Sequence, residues 1–149
     1  FNLIARAYLF LGMIEAALSL GGFFTLYWMR GWRPGEAMPA DGAVYAAATT
    51  IVFAGIVAAQ IGNVFACRTD KEPVFTAGFF KNRFILYGII AEVSIMLLLI
   101  YVPPLARVFG FAPPGWKGWA LLLIFPAVML AAEEARKAFI RKKQRPRRD

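Results

Sequence analysis

Four long apolar stretches, separated by polar or proline-rich segments, dominate the pattern of the chain. They run from about residue 3 to 28, 43 to 67, 84 to 102 and 116 to 132, and a polar segment, 133–149, follows the last of them. A helix that crosses the hydrocarbon core of a bilayer needs about 20 apolar residues, within a range of about 17–25. Because backbone polar groups in lipid must be satisfied within a helix, the pattern predicts an all-α bundle of four transmembrane helices over residues 1–149.

The composition agrees with this class and excludes several kinds of chemistry. Of 149 residues, 60% are hydrophobic and 17% are charged, which leaves too little polar surface to cover a water-soluble globule. The chain has no His and a single Cys, Cys67, so neither an imidazole metal site nor an internal disulfide is expected. Because no phosphate-binding loop or nucleophile motif occurs, we predict no catalytic residue, no cofactor-binding residue and no means of hydrolysing ATP in this segment.

The basic residues predict the orientation of the bundle. Four spans place both chain ends on one side, and that side carries 13 of the 17 Lys and Arg residues, so both termini are predicted to be cytoplasmic. Four tryptophans then fall at the opposite interface, where aromatic belts occur: Trp28, Trp32, Trp116 and Trp119. The basic tail, 133–149, is predicted to be a cytoplasmic anchor able to contact anionic lipid, and without interleaved aromatic residues it predicts no nucleic-acid binding.

Polar side chains inside the spans are the candidates for function, because ionisable groups are costly in hydrocarbon. Two carboxylates, Glu15 and Glu92, lie in the first and third spans, and two amides, Gln60 and Asn63, share one face of the second. Counting residues from the cytoplasmic ends puts Glu15, Gln60 and Glu92 about 10–13 Å deep. Carboxylate and amide oxygens at one level predict a pocket for a hard cation or a proton.

The same polar residues also fit a structural role. Polar side chains in membrane spans often join helices through hydrogen bonds worth about 1 kcal/mol or less. Small residues allow helices to approach closely, so Gly21, Gly22 and Gly55 are predicted to be packing positions.

Several segments together resemble the last four transmembrane helices of the P2-type cation ATPases, a group that includes sarcoplasmic calcium pumps and sodium/potassium pumps. The similar segments, in chain order, are GMIEAALSLGGFFTLYW, FAGIVAAQIGNVFACRTDKEPVFTAGFFKNRFILYGIIAE, IYVPPLARVFG and WALLLIFPAVMLAAEEARKAFIRKK. The resemblance covers essentially the whole chain. The absence of an initiator Met before Phe1 fits the expectation of a piece of a longer pump.

The resemblance implies roles for individual residues. Gln60 and Glu92 match positions that help to form a sodium site in the eighth and ninth helices of sodium pumps, whereas Asn63 stands where those pumps have an Asp. Calcium pumps have a Glu at the position of Gln60, and Glu15 matches no main ligand position, so its role stays open. In an intact pump, Glu92→Ala is expected to weaken cation activation, and Gln60→Ala is expected to act less strongly.

The resemblance also implies what the parent protein uses, where it acts and which parts of it this segment contacts. The parent protein would use ATP and Mg²⁺ and move Na⁺, Ca²⁺, K⁺ or H⁺ across the plasma (inner) membrane, and the partners of this segment would be the other helices and the cytoplasmic domains. The phosphorylated Asp motif, the nucleotide domain and the main cation ligands of the family have no counterpart here. Two alternatives stay open: a free-standing four-span transporter of the small multidrug exporter type, for which Glu15 is suitably placed, and a non-enzymatic membrane scaffold.

Overall fold

The computed structural model describes residues 9–68 and 82–144. Within those ranges the chain is helical and contains no strand, which confirms the predicted all-α class. Residues 3–8 of the first predicted span and 145–149 of the tail lie outside the described residues. So do six of the 13 basic residues counted toward the orientation: Arg6, Lys71, Lys81, Arg145, Arg147 and Arg148.

The described chain forms six helices. They are α1 (Gly12–Met29), α2 (Gly42–Ala66), α3 (Arg83–Tyr101), α4 (Pro103–Phe109), α5 (Gly115–Leu122) and α6 (Ile124–Gln144). Four helical segments are long and apolar enough to cross a membrane: Leu9–Met29, Gly42–Ala66, Arg83–Tyr101 and Gly115–Lys142. The described part of the chain is therefore a four-span membrane bundle, as the hydrophobic pattern predicts.

The fourth span is divided, although the sequence pattern predicts one uninterrupted helix there. Pro126 is the third residue of α6, and its ring nitrogen cannot donate to the carbonyl of Leu122. The regular helix is interrupted at Leu123, whose N–H donates to the carbonyl of Trp119 at 3.3 Å. Proline therefore sets the boundary between α5 and α6.

Phe125 joins the three helices at the centre of the bundle. Its side chain is only 2% exposed and enters a notch formed by Gly22 of α1 and Gly55 of α2. A methyl group built on Gly55 would lie 2.6 Å from the ring, and one on Gly22 would lie 2.9 Å from it. The packing role predicted for these two glycines is confirmed. A methyl group on Gly21 would meet no described atom within 4 Å, so Gly21 makes no such contact within the described part of the chain.

The ends of α2 and α6 on the predicted cytoplasmic side are joined by a buried lysine. Lys137 is fully buried, and its Nζ donates to the carbonyl oxygen of Ala66 at 2.8 Å and to Glu134 Oε1 at 3.1 Å. Glu133, also fully buried, accepts two hydrogen bonds from the Arg136 guanidinium, at 2.6 and 2.8 Å. A cation at a helix C-terminus is electrostatically favourable, so Lys137 fixes the end of α2 against α6.

Helix α3 lies at the edge of the bundle. Only Met96 and Ile100 are buried in it, both in its second half. Near the end of α3, the Tyr101 hydroxyl accepts a hydrogen bond from Trp119 Nε1 at 3.0 Å, and the two rings stack with centroids 6.4 Å apart. The first half of α3 therefore presents apolar side chains such as Phe84, Tyr87 and Ile90 to the surroundings, which is what a lipid-facing or helix-facing surface requires.

Candidate functional site

A groove between α1 and α2 is lined by several of the polar side chains that lie inside the spans. Its volume is about 560 Å³, and it opens at the surface of the bundle. Nine residues line this α1–α2 groove, and four of them are polar: Glu15, Ser19, Gln60 and Asn63. The helices are antiparallel, so consecutive turns of α1 meet consecutive turns of α2 and place these side chains along one seam.

Glu15 and Gln60 form the centre of the groove. The Gln60 amide nitrogen, Nε2, donates to both carboxylate oxygens of Glu15, at 3.0 Å to Oε2 and 3.3 Å to Oε1. Both side chains are half-buried. No cationic side chain of the described residues pairs with Glu15, so the only polar contact of this carboxylate is to a neutral amide.

Asn63 lies one turn from Gln60 on the same face of α2, as the spacing predicts. Its Oδ1 accepts a hydrogen bond from Cys67 Sγ at 3.1 Å, and Cys67 is exposed at the end of the helix. Three of the four residues predicted to form a cation site are thus found in one groove. The fourth, Glu92, is placed elsewhere.

Glu92 is half-buried on α3, nine residues after the helix begins, and is not among the residues that line the α1–α2 groove. It makes no hydrogen bond or ion pair with any residue that the structure describes. Its separation from the groove follows from the packing of α3, which is attached to the bundle through Met96 and Ile100 rather than along its whole length.

Ser19 is a groove residue that the sequence reasoning missed. It follows Glu15 by four residues on α1 and therefore lies on the same helix face. Its side chain is 3% exposed, and its Oγ has no hydrogen-bond partner in the described structure. The spacing of a hydroxyl four residues after an intramembrane carboxylate was the available signal.

The side chains that line the groove offer oxygen donors, without a thiolate or an imidazole among them. Among the residues the structure describes there is no group of three or more His, Cys, Asp or Glu side chains that could hold a metal ion. One carboxylate, two amides and one hydroxyl are oxygen ligands of the kind that alkali and alkaline-earth cations prefer. Since Glu15 is the only carboxylate in the groove, further ligands from other helices would be needed to enclose such an ion.

Comparison with known proteins gives consistent matches. The family model described as "Cation transporting ATPase, C-terminus" matches residues 2–139. The chain is 31% identical over 108 residues, 72% of its length, to calcium-transporting ATPase type 2C member 2 of Mus musculus, and equally to calcium-transporting ATPase 1 of Saccharomyces cerevisiae. It is 24% identical to potassium-transporting ATPase alpha chain 1 of Xenopus laevis, over an alignment of 164 positions that covers 94% of this chain.

The chain spans only a small part of these relatives. It covers 11% of the mouse and yeast proteins and 16% of the frog protein.

Proposed function

The chain belongs to the cation-transporting ATPase C-terminal family, and we propose that it works inside a cation-pumping P-type ATPase, where it braces the ion-binding helices and supplies side ligands to the transported cation. The match over residues 2–139 confirms the resemblance drawn from the sequence and favours this function over a small multidrug exporter or a scaffold. The chain is an integral, multi-pass membrane segment. The cation, the parent's activity and the membrane in which it acts belong to the proposal.

The contact between Glu15 and Gln60 supports the side-ligand role most strongly. An acidic side chain costs about 2.5–3.5 kcal/mol at the centre of a membrane helix on insertion scales and less toward an end. Glu15 lies in the first turn of α1, and no positive side chain of the described structure offsets its cost. A neutral amide alone is a weak partner for a carboxylate in an apolar groove. A cation bound beside Glu15, Gln60 and Asn63 would provide the missing positive charge.

Glu92 enters the proposal as a separate side ligand. Its carboxylate lies in the half of α3 that packs least against this bundle, so other helices of the pump would complete its surroundings. The large apolar side chains exposed on the same half of α3 support such a helix-facing surface.

The bracing role is supported by the close packing of α1, α2 and α6. Phe125 fills the notch at Gly22 and Gly55, and Lys137 fixes the end of α2, so the three helices form a unit that can support others. In the proposed pump, ATP and Mg²⁺ act on cytoplasmic domains outside this chain. We further propose that both ends face the cytoplasm of a cell whose plasma (inner) membrane holds the pump, with the basic tail near anionic lipid.

The test is the cation dependence of ATP hydrolysis by the intact pump, titrated separately with Ca²⁺, Na⁺ and K⁺. Gln60→Ala and Asn63→Ala should each raise the half-activating concentration of the transported cation by about fivefold, which corresponds to roughly 1 kcal/mol. Val64→Ala is the matched control, because Val64 follows Asn63 on α2 but is exposed outside the groove. Unchanged half-activating concentrations in both amide variants would reject the side-ligand role and leave only bracing.

A further inference from the structure

The buried hydroxyl of Ser19 makes no hydrogen bond in the described structure, although a backbone carbonyl of its own helix could accept one. Its Oγ is the only buried side-chain oxygen or nitrogen without a hydrogen bond in the described part of the chain. Burying a hydroxyl without a partner costs about 1–3 kcal/mol, so such an atom calls for an explanation.

Other hydroxyls in these spans show how the cost is usually avoided. Thr25, Thr49 and Thr50 each donate to the carbonyl four residues earlier in their own helix, at 2.7, 3.0 and 2.9 Å. This bond to the preceding turn is the common solution for hydroxyls in membrane helices. Ser19 does not make it, and its Oγ instead faces α2, where a methyl group built on Gly55 would lie 3.4 Å away.

The amide of Gln60 is held in one orientation by Glu15. Both carboxylate oxygens of Glu15 accept a hydrogen bond from Nε2, the donor atom of the Gln60 amide. The amide oxygen, Oε1, therefore points away from Glu15 and makes no hydrogen bond with a described residue. Two free oxygens, Ser19 Oγ and Gln60 Oε1, thus belong to side chains that line the same groove as one carboxylate.

We propose that Ser19 is a further ligand for the cation of the α1–α2 groove, and that Glu15 positions Gln60 so that its amide oxygen meets the same ion. This inference rests on the proposed function and adds a second residue of α1 to the site. Ser19 is one helical turn from Glu15 on the same face of α1, a rise of about 6 Å. Because its Oγ is buried against Gly55, it would meet an ion beside Glu15 after a rotation about χ1. The ion would satisfy the hydroxyl and the carboxylate together, which a hydrogen bond within α1 cannot do.

The experiment compares Ser19→Ala with Gln60→Ala in the intact pump, again with Ca²⁺, Na⁺ and K⁺ as the probes. Ser19→Ala should raise the half-activating concentration of the transported cation about three- to tenfold while the maximal rate stays near that of the parent, as expected when only binding is weakened. Ser94→Ala is the matched control, since Ser94 lies exposed on α3 and outside the groove.

The outcomes distinguish a failure of the Ser19 inference from a failure of the proposed function. If Ser19→Ala is activated like the parent while Gln60→Ala is weakened, Ser19 is no ligand and the proposed function stands. If neither variant is weakened, the Ser19 inference and the ligand role of Gln60 are both wrong. A second readout is the cation-induced rise in melting temperature of the purified pump, which Ser19→Ala should reduce. If Ser19→Ala melts lower even without cation, Ser19→Cys takes its place, because it keeps the shape of the side chain and replaces the hard oxygen with a somewhat larger sulfur atom. An undiminished rise in Ser19→Cys would overturn the assignment.

Discussion

Gly62 gives the most direct test of the helix packing, because its neighbour is backbone that cannot turn aside. A methyl group built on Gly62 would lie 2.7 Å from the carbonyl oxygen of Pro126, 2.8 Å from its Cα and 3.0 Å from Cβ of Met129. Carbon atoms in contact are ordinarily about 3.5–4.0 Å apart, so α6 would have to move from α2 by roughly 0.7 Å. Overpacking of this kind costs about 1–3 kcal/mol.

Gly88→Ala supplies the matched control for this substitution. Gly88 is also inside a span, but a methyl group there would meet no described atom within 4 Å. Both substitutions gain the same helix propensity, about 0.5–1 kcal/mol for Ala over Gly, so this contribution cancels in the comparison. Gly62→Ala is therefore expected to be less stable than Gly88→Ala by about 1–3 kcal/mol.

The assay is unfolding of the chain in mixed micelles by increasing amounts of sodium dodecyl sulfate, followed by circular dichroism and tryptophan fluorescence. Gly62→Ala should unfold at a lower detergent fraction than the parent chain, and Gly88→Ala at the same fraction or a higher one. Equal stability of the two variants would show that α2 and α6 do not meet at Gly62 and Pro126, and would refute the packing described above.

Three more predictions concern two other packing contacts and the orientation of the bundle. Lys137→Met should destabilise the chain by about 1–2 kcal/mol, since it removes the cation from the end of α2, and the exposed Lys142→Met should change little in the same assay. Phe125→Ala should lower the free energy of unfolding by about 3 kcal/mol, because it empties the notch at Gly22 and Gly55. A decrease of less than about 1 kcal/mol would contradict that packing. In a Cys67→Ser background, a membrane-impermeant maleimide applied to whole cells should label Arg107→Cys and spare Lys142→Cys, and the reverse pattern would contradict cytoplasmic ends.

Much of the bundle can be predicted from the sequence because lipid imposes strong rules on length and polarity. The four spans follow from apolar runs of the required length, and the shared face of Gln60 and Asn63 follows from helical periodicity. The depth of Glu15 follows from the rise per residue, which is why three predicted residues meet in the α1–α2 groove.

What the sequence does not predict depends on how the helices dock. Depth alone puts Glu92 level with Gln60, but the rotation and attachment of α3 are decided by Met96 and Ile100. The bond from Lys137 to Ala66 joins residues 71 positions apart, and the missing partner of Ser19 is visible only once α2 covers it. Pro126 could have predicted the division of the fourth span, since a proline near the centre of a helical run interrupts it.

The most direct measurement is equilibrium binding of radioactive ⁴⁵Ca²⁺ and ²²Na⁺ to the purified intact pump and to its Gln60→Leu variant, which keeps the size of the side chain and removes the amide. If the groove between α1 and α2 holds part of the cation site, the variant should bind the transported ion at least about fivefold more weakly than the parent. Binding curves that coincide for parent and variant, with both ions, would contradict it.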